Sequence, residues 1–124
     1  MKKVLTRRYF MIGGAFALFG LSLSGHLAYV AAAEQGLQIV DISGPQLPHL
    51  VGNYDSPRQA EESVSRGHYL LVADGQSGFQ ILDITNTSAP TAFSHYDTPG
   101  QAKGLAIDGS YAYVADTYSL LIFK

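Results

Sequence analysis

The side chains of this chain that could do chemistry are four histidines, ten carboxylates and eight tyrosines, and cysteine is absent. Without thiols there can be no disulfide, no thiolate metal site and no cysteine nucleophile. A histidine metal site needs converging ligands and outer groups that orient the rings. His26, His49, His68 and His95 do not supply that spacing; His26 and His68 each follow a glycine and read as solvated turn residues. The aspartates are placed as regularly: Asp74 and Asp116 precede turns, and Asp41, Asp83, Asp55 and Asp97 end apolar segments. An aspartate at a strand end accepts hydrogen bonds from turn amides, whereas calcium needs several oxygen ligands in one dense loop. Tyr29, Tyr54, Tyr69, Tyr96, Tyr111, Tyr113 and Tyr118 sit mostly at strand positions, where aromatic residues pack well; some could line a sugar-stacking or protein-binding surface. No nucleophile elbow, phosphate-binding glycine loop, zinc spacing or paired carboxylates occur. The reading is therefore no catalytic residue, no cofactor and no metal.

What positions these residues is a repeat. Gly36-Leu37-Gln38-Ile39-Val40-Asp41-Ile42 returns 42 residues later as Gly78-Phe79-Gln80-Ile81-Leu82-Asp83-Ile84. Pro48, Tyr54, Asp55 and Pro57 return as Pro90, Tyr96, Asp97 and Pro99, and Val72-Ala73-Asp74 as Val114-Ala115-Asp116. Aligning 25–66 on 67–108 without a gap matches 15 of 42 positions. A fixed period of this size marks a repeat architecture.

Within the unit 67–108, short apolar or alternating runs lie between turn signals. Tyr69–Ala73 suits a buried strand, Asp74-Gly75-Gln76-Ser77-Gly78 a hairpin turn, and Phe79–Ile84 an alternating strand. Asn86–Pro90 breaks the chain, Ala92–Asp97 alternates again, and Lys103–Ile107 is a fourth strand ended by Asp108-Gly109. The expected fold is all-β: consecutive four-stranded antiparallel blades of a β-propeller, about 2.4 units of 42 residues after residue 24. Strands are predicted near 27–32, 37–42, 50–55, 69–74, 79–84, 92–97, 103–107, 111–116 and 120–123. Blade repeats are placed at 25–66 and 67–108, with a partial third at 109–124. Glu61-Glu62-Ser63-Val64-Ser65 occupies the place of the Lys103–Ile107 strand but is polar, which predicts a poorly formed or edge-exposed first blade.

Tyr29-Val30-Ala31, Gly36–Ser43, Tyr96-Asp97-Thr98-Pro99-Gly100 and Gly109–Asp116 resemble the bacterial and archaeal LVIVD repeat. That family is named for the apolar strand ending in Asp, here Leu37-Gln38-Ile39-Val40-Asp41 and Phe79-Gln80-Ile81-Leu82-Asp83. The resemblance implies an exported or surface-attached propeller without an assigned activity.

The N-terminus reads as an address. Lys2, Lys3, Arg7 and Arg8 precede an apolar stretch, Phe10–Leu23, the build of a bacterial secretory signal, expected to be helical over residues 1–24. Thr6-Arg7-Arg8-Tyr9-Phe10-Met11 resembles the twin-arginine export motif, with Arg7, Arg8 and Phe10 at its defining positions. An ordinary Sec signal is the alternative. Three readings of its exit stay open: cleavage after the small-residue run Ala31-Ala32-Ala33, cleavage at Ser22-Leu23-Ser24, or no cleavage. In the last, Phe10–Ala33 would be long enough to span a bilayer.

Composition narrows the partners. From residue 25 onward there are 4 basic and 10 acidic side chains, so nucleic acid is not an expected partner and a membrane would be met only through the N-terminal segment. With about 2.4 units against the usual four to eight blades, a truncated or partial chain is expected, or self-association through open blade edges. The function expected is a non-enzymatic binding or scaffold module at the periplasm or cell surface, with an unknown protein or saccharide ligand. The alternative is part of an exported propeller enzyme, a hydrolase or quinone-dependent oxidoreductase.

Overall fold

The computed structural model describes residues 20–33, 35–44 and 48–124, and among them every helix or strand is a strand. β1 (Gly20–Ser24), β2 (Leu27–Ala31), β3 (Leu37–Asp41) and β4 (His49–Tyr54) form an antiparallel sheet in chain order. β5 (Glu62–Arg66), β6 (Tyr69–Ala73), β7 (Phe79–Asp83) and β8 (Thr91–Tyr96) repeat it, and β9 (Gly104–Asp108), β10 (Tyr111–Ala115) and β11 (Leu120–Phe123) form a third sheet. Such antiparallel sheets of three and four strands are consistent with propeller blades.

The second sheet is covered on both faces, which explains the apolar run of β6. Leu70, Val72, Leu82 and Ile84 join Tyr29, Ala31, Leu37 and Ile39 of the first sheet in one core cluster. The alternate residues Leu71, Ala73 and Phe79 join Val114 of the third sheet in another, with Ile81, Leu121 and Phe123 packed against it. Each β1–β2-type hairpin turns on two residues, with Gly25, Gly67 and Gly109 at φ of 60°, 59° and 61°. Glycine at the first loop position with a left-handed φ is the signature of a type II′ turn, whose twist suits a hairpin.

Three expectations need correction. First, Gly20–Ser24 is strand β1, not helix, and all five residues pair with β2; the rest of the expected helical segment lies outside the described residues. Within Phe10–Ala33 the described part holds two strands, β1 at 20–24 and β2 at 27–31. Among the described residues no helix is long and apolar enough to cross a membrane.

Second, Glu62–Arg66 is a well-formed strand. β5 pairs with β6 over five positions and packs between β1 and β9. Its polar residues are tolerated because Ser63, only 3% exposed, bonds across to Ser22 Oγ at 3.1 Å, while Val64 faces the apolar cluster.

Third, the sheets break the chain in the 55–61 and 97–103 connections, so they follow a different phase from 25–66 and 67–108. The strand at 104–108 opens the third sheet by pairing with β10, and does not close the second.

The last hairpin drops one residue from the 42-residue period, and β11 falls at 120–123, where the sequence places a strand. Ala31 pairs with Leu37 and Ala73 with Phe79, but Ala115 pairs with Leu120, one residue sooner. The shorter turn closes by an Asp116 N–H to Ser119 O bond of 2.9 Å, where Asp74 N–H reaches Gly78 O. The deletion puts Leu121 and Phe123 on the face toward the second sheet.

Candidate functional site

The sheets splay apart where the second meets the third, opening a cleft of about 610 Å³. One wall carries Tyr69, Phe79, Phe93 and Tyr96; the other carries Ile107, Tyr111 and Phe123. Phe79 is the anchor, 1% exposed, with Tyr96 stacked on it at 5.1 Å between ring centres and Phe123 edge-on at 4.9 Å. Tyr69 and Phe93 form a second pair at 5.0 Å. Offset and edge-on rings favour one another beyond simple burial, which holds the walls in place while leaving Tyr69, Phe93, Tyr96 and Tyr111 exposed by 40% or more.

The corresponding position between the first and second sheets is closed. There Leu27, Val51 and Tyr54, the counterparts of Tyr69, Phe93 and Tyr96, pack half-buried against the core cluster. The connection after β7 comes close to the same strand, where a Cβ on Gly52 would collide with the Thr87 carbonyl. The open site thus differs from its repeat by larger, mostly aromatic side chains at three of four matched positions: Leu27 to Tyr69, Leu37 to Phe79 and Val51 to Phe93.

Chemically the cleft can hold an apolar or stacking partner and little else. Arg66, His68 and Lys124 lie at its rim, Lys124 Nζ sitting 5.9 Å from the Tyr111 ring centre, and no carboxylate lines it.

The opposite end of the sheets carries the polar groups. Arg58, Gln59, Gln76, Gln101 and Lys103 border shallow polar grooves there. The aspartates act on turns, as their positions predict. Asp41 Oδ1 accepts from Ser43 N–H at 2.8 Å and Ser43 Oγ–H at 2.6 Å, and Asp83 Oδ1 accepts from Thr85 N–H at 2.8 Å. Asp116 ties the third sheet to the preceding connection, accepting from Gly100, Tyr118 and Ser119 amides. Hydroxyl and amide donors from Ser43 and Thr85 hold the Asp41 and Asp83 carboxyls below the usual range. At Asp116 partial desolvation pulls upward, but the combined amide bonds prevail and lower it.

Asp74 differs. It is fully buried, facing Ser56 and the amides of Arg58 and Gln59 without a well-formed hydrogen bond to either oxygen, and burial pushes its carboxyl upward.

The structure does not gather the histidines. His26 and His68 sit exposed in successive hairpin turns, and His95 is exposed 3.5 Å from Asp97. Among the described residues no three histidine, aspartate or glutamate side chains form a metal-sized group. Arg7, Arg8 and Phe10 lie outside the described residues. The aromatic cleft is what residue-by-residue reading missed; its trace in the sequence is the set of enlarged residues on a single face of the second unit.

Three successive stretches, 19–56, 58–98 and 99–123, match the family model described as LVIVD repeat. The chain belongs to the LVIVD repeat family. The family's stretches agree with the sheets in phase, each holding the strands of one sheet. No curated protein matches this LVIVD repeat chain. Among solved structures it is similar to the computationally designed Ika8 protein, with a TM-score of 0.69 at 11% identity over 86% of this chain. At that identity the likeness concerns fold alone, and the chain spans 33% of that protein's length.

Proposed function

We propose that this LVIVD repeat chain is a non-enzymatic binding or scaffold module of an exported or cell-surface protein. The observation that carries the reading is the aromatic cleft between the second and third sheets, apolar on both walls and free of carboxylates. Exposed Tyr69, Phe93, Tyr96 and Tyr111 present ring faces that a saccharide or an apolar protein segment could cover. Like residues recur at matched turns of successive units, His26 with His68 and Gln59 with Gln101, whereas an enzyme would place unlike groups there. Among the described residues, the exposed Leu120 and Ile122 of β11 add a second apolar surface, suited to self-association. The address rests on Arg7, Arg8 and the following apolar residues.

The test is a titration of the full chain with oligosaccharides and with apolar extended peptides, following tyrosine fluorescence. A saturable partner whose affinity falls at least tenfold in Phe93→Ala/Tyr96→Ala supports the reading. Binding indifferent to those changes, or turnover of a ligand, overturns it. Replacing Arg7 and Arg8 by lysine should block export in a bacterium with the twin-arginine pathway; unchanged export would leave the Sec route.

A further inference from the structure

We infer that the mature protein keeps its chain from Gly20 onward, so that any leader-peptidase cut falls before Gly20. Neither Ser22-Leu23-Ser24 nor Ala31-Ala32-Ala33 is then a processing site, although both present small residues of the kind such peptidases read.

The alanine run is the stronger decoy, and its burial removes it. Ala31 and Ala32 are fully buried and Ala33 is 6% exposed. Ala31 lies mid-sheet, paired with Gly20 on one side and Leu37 on the other. Ala32 N–H donates to Gly36 O at 2.8 Å, and Ala33 exchanges two backbone hydrogen bonds with Ala60. A cut after Ala33 would remove β1 and β2, half of the first sheet, and would strip Tyr29 and Ala31 from the cluster that covers Leu37 and Ile39.

A cut after Ser24 would remove β1 alone. That strand makes five register pairs with β2 and packs against β5, where Ser22 Oγ meets Ser63 Oγ at 3.1 Å. Gly20 fits so tightly that an added Cβ would stand 2.7 Å from Glu61 O and 2.8 Å from the Glu62 α-carbon. Backbone approach this close means the strand is built into the fold. Independently, the family match begins at residue 19, ahead of both small-residue runs. With β1 assigned to the fold, the apolar run left for a leader is Phe10–Phe19, ten residues. That is the length of a signal core, roughly 7–15 residues, and half of the roughly 20 needed to cross a bilayer.

The inference relies on the export reading only for the existence of a leader, and the experiment separates the two. The full chain, tagged at its C-terminus, is produced in a bacterium with both export routes, fractionated, and its intact mass and N-terminal residue determined. An exported species starting at or before Gly20 is the expected result. An exported species starting at Gly25 or Glu34 overturns the inference while leaving export intact. If the chain stays in the cytoplasm, the export reading falls, and Gly20→Val decides the structural claim on that material. Valine there should lower the melting temperature by about 4–8 °C or more, because it collides with the Glu61–Glu62 backbone. An unchanged melting temperature would show that Gly20 is outside the fold and overturn the inference in either compartment.

Discussion

Ala33 and Ala60 exchange two backbone hydrogen bonds, 3.2 Å from Ala33 N–H to Ala60 O and 3.1 Å in return, and so staple the turn after β2 to the connection that leads into β5. Gly75 and Ala102 repeat the staple one unit later, at 3.1 and 2.9 Å. The bridge demands a left-handed backbone at its first member: Ala33 has φ of 50° and Gly75 of 56°. An L-residue with a side chain pays roughly 1–2 kcal/mol for that conformation, part of which glycine returns as chain entropy.

Ala33→Gly should therefore stabilise the protein by up to about 1 kcal/mol. Urea unfolding with an unchanged slope and a higher midpoint is the expected result. A loss of stability would mean that the Ala33 methyl group packs more usefully than its backbone strains.

Gly78→Ala and Gly67→Ala separate two reasons for glycine. Both positions are left-handed, at φ of 75° and 59°, but a Cβ on Gly67 meets nothing within 4 Å while one on Gly78 collides with the Tyr96 carbonyl. Gly67→Ala should cost about 1 kcal/mol. Gly78→Ala should cost several times more, since backbone atoms of β8 must move. Equal losses in thermal unfolding would contradict the close approach of the β6–β7 turn to β8.

Much of this fold is legible along the chain, and the exceptions share a cause. Strands such as Phe79–Asp83 and Tyr111–Ala115 declare themselves because their alternation faces covered sheets on known sides. β1 and β5 do not. Leu21 and Leu23 blend into an apolar leader-like run, and Glu62, Ser63 and Ser65 look solvent-bound. Their strand character comes from lying beside one another across sheets, a relationship the 42-residue alignment reveals only if it is carried back past Gly25. The cleft was hidden for a similar reason: Tyr69, Phe93 and Tyr96 are ordinary strand residues until it is known which sheet they face.

Asp74 should make stability depend on pH in the direction opposite to the other turn aspartates. Its carboxyl is raised by burial, so the folded state favours the protonated form. The resulting penalty is absent at low pH, grows as pH rises from the unfolded carboxylate value through the raised folded one, and is full above that. Asp74→Asn, which keeps an acceptor for the Arg58 and Gln59 amides, should gain about 1 kcal/mol at neutral pH and nothing in acid. Asp41, Asp83 and Asp116 are lowered, so their contribution is present above the ordinary carboxylate range and fades as pH falls through it. Parallel unfolding curves for wild type and Asp74→Asn across pH would refute this assignment.

The phase of the sheets places β1 beside β5 and opens the aromatic cleft between the second and third sheets. Cross-strand nuclear Overhauser contacts in isotope-labelled full chain measure it directly. Backbone contacts of β5 with β6, such as Val64 with Leu71, and of β9 with β10, such as Ala106 with Tyr113, are predicted from the pairing registers. Backbone pairing between 92–97 and 103–107 instead, closing the second sheet with the strand assigned here to the third, would contradict it.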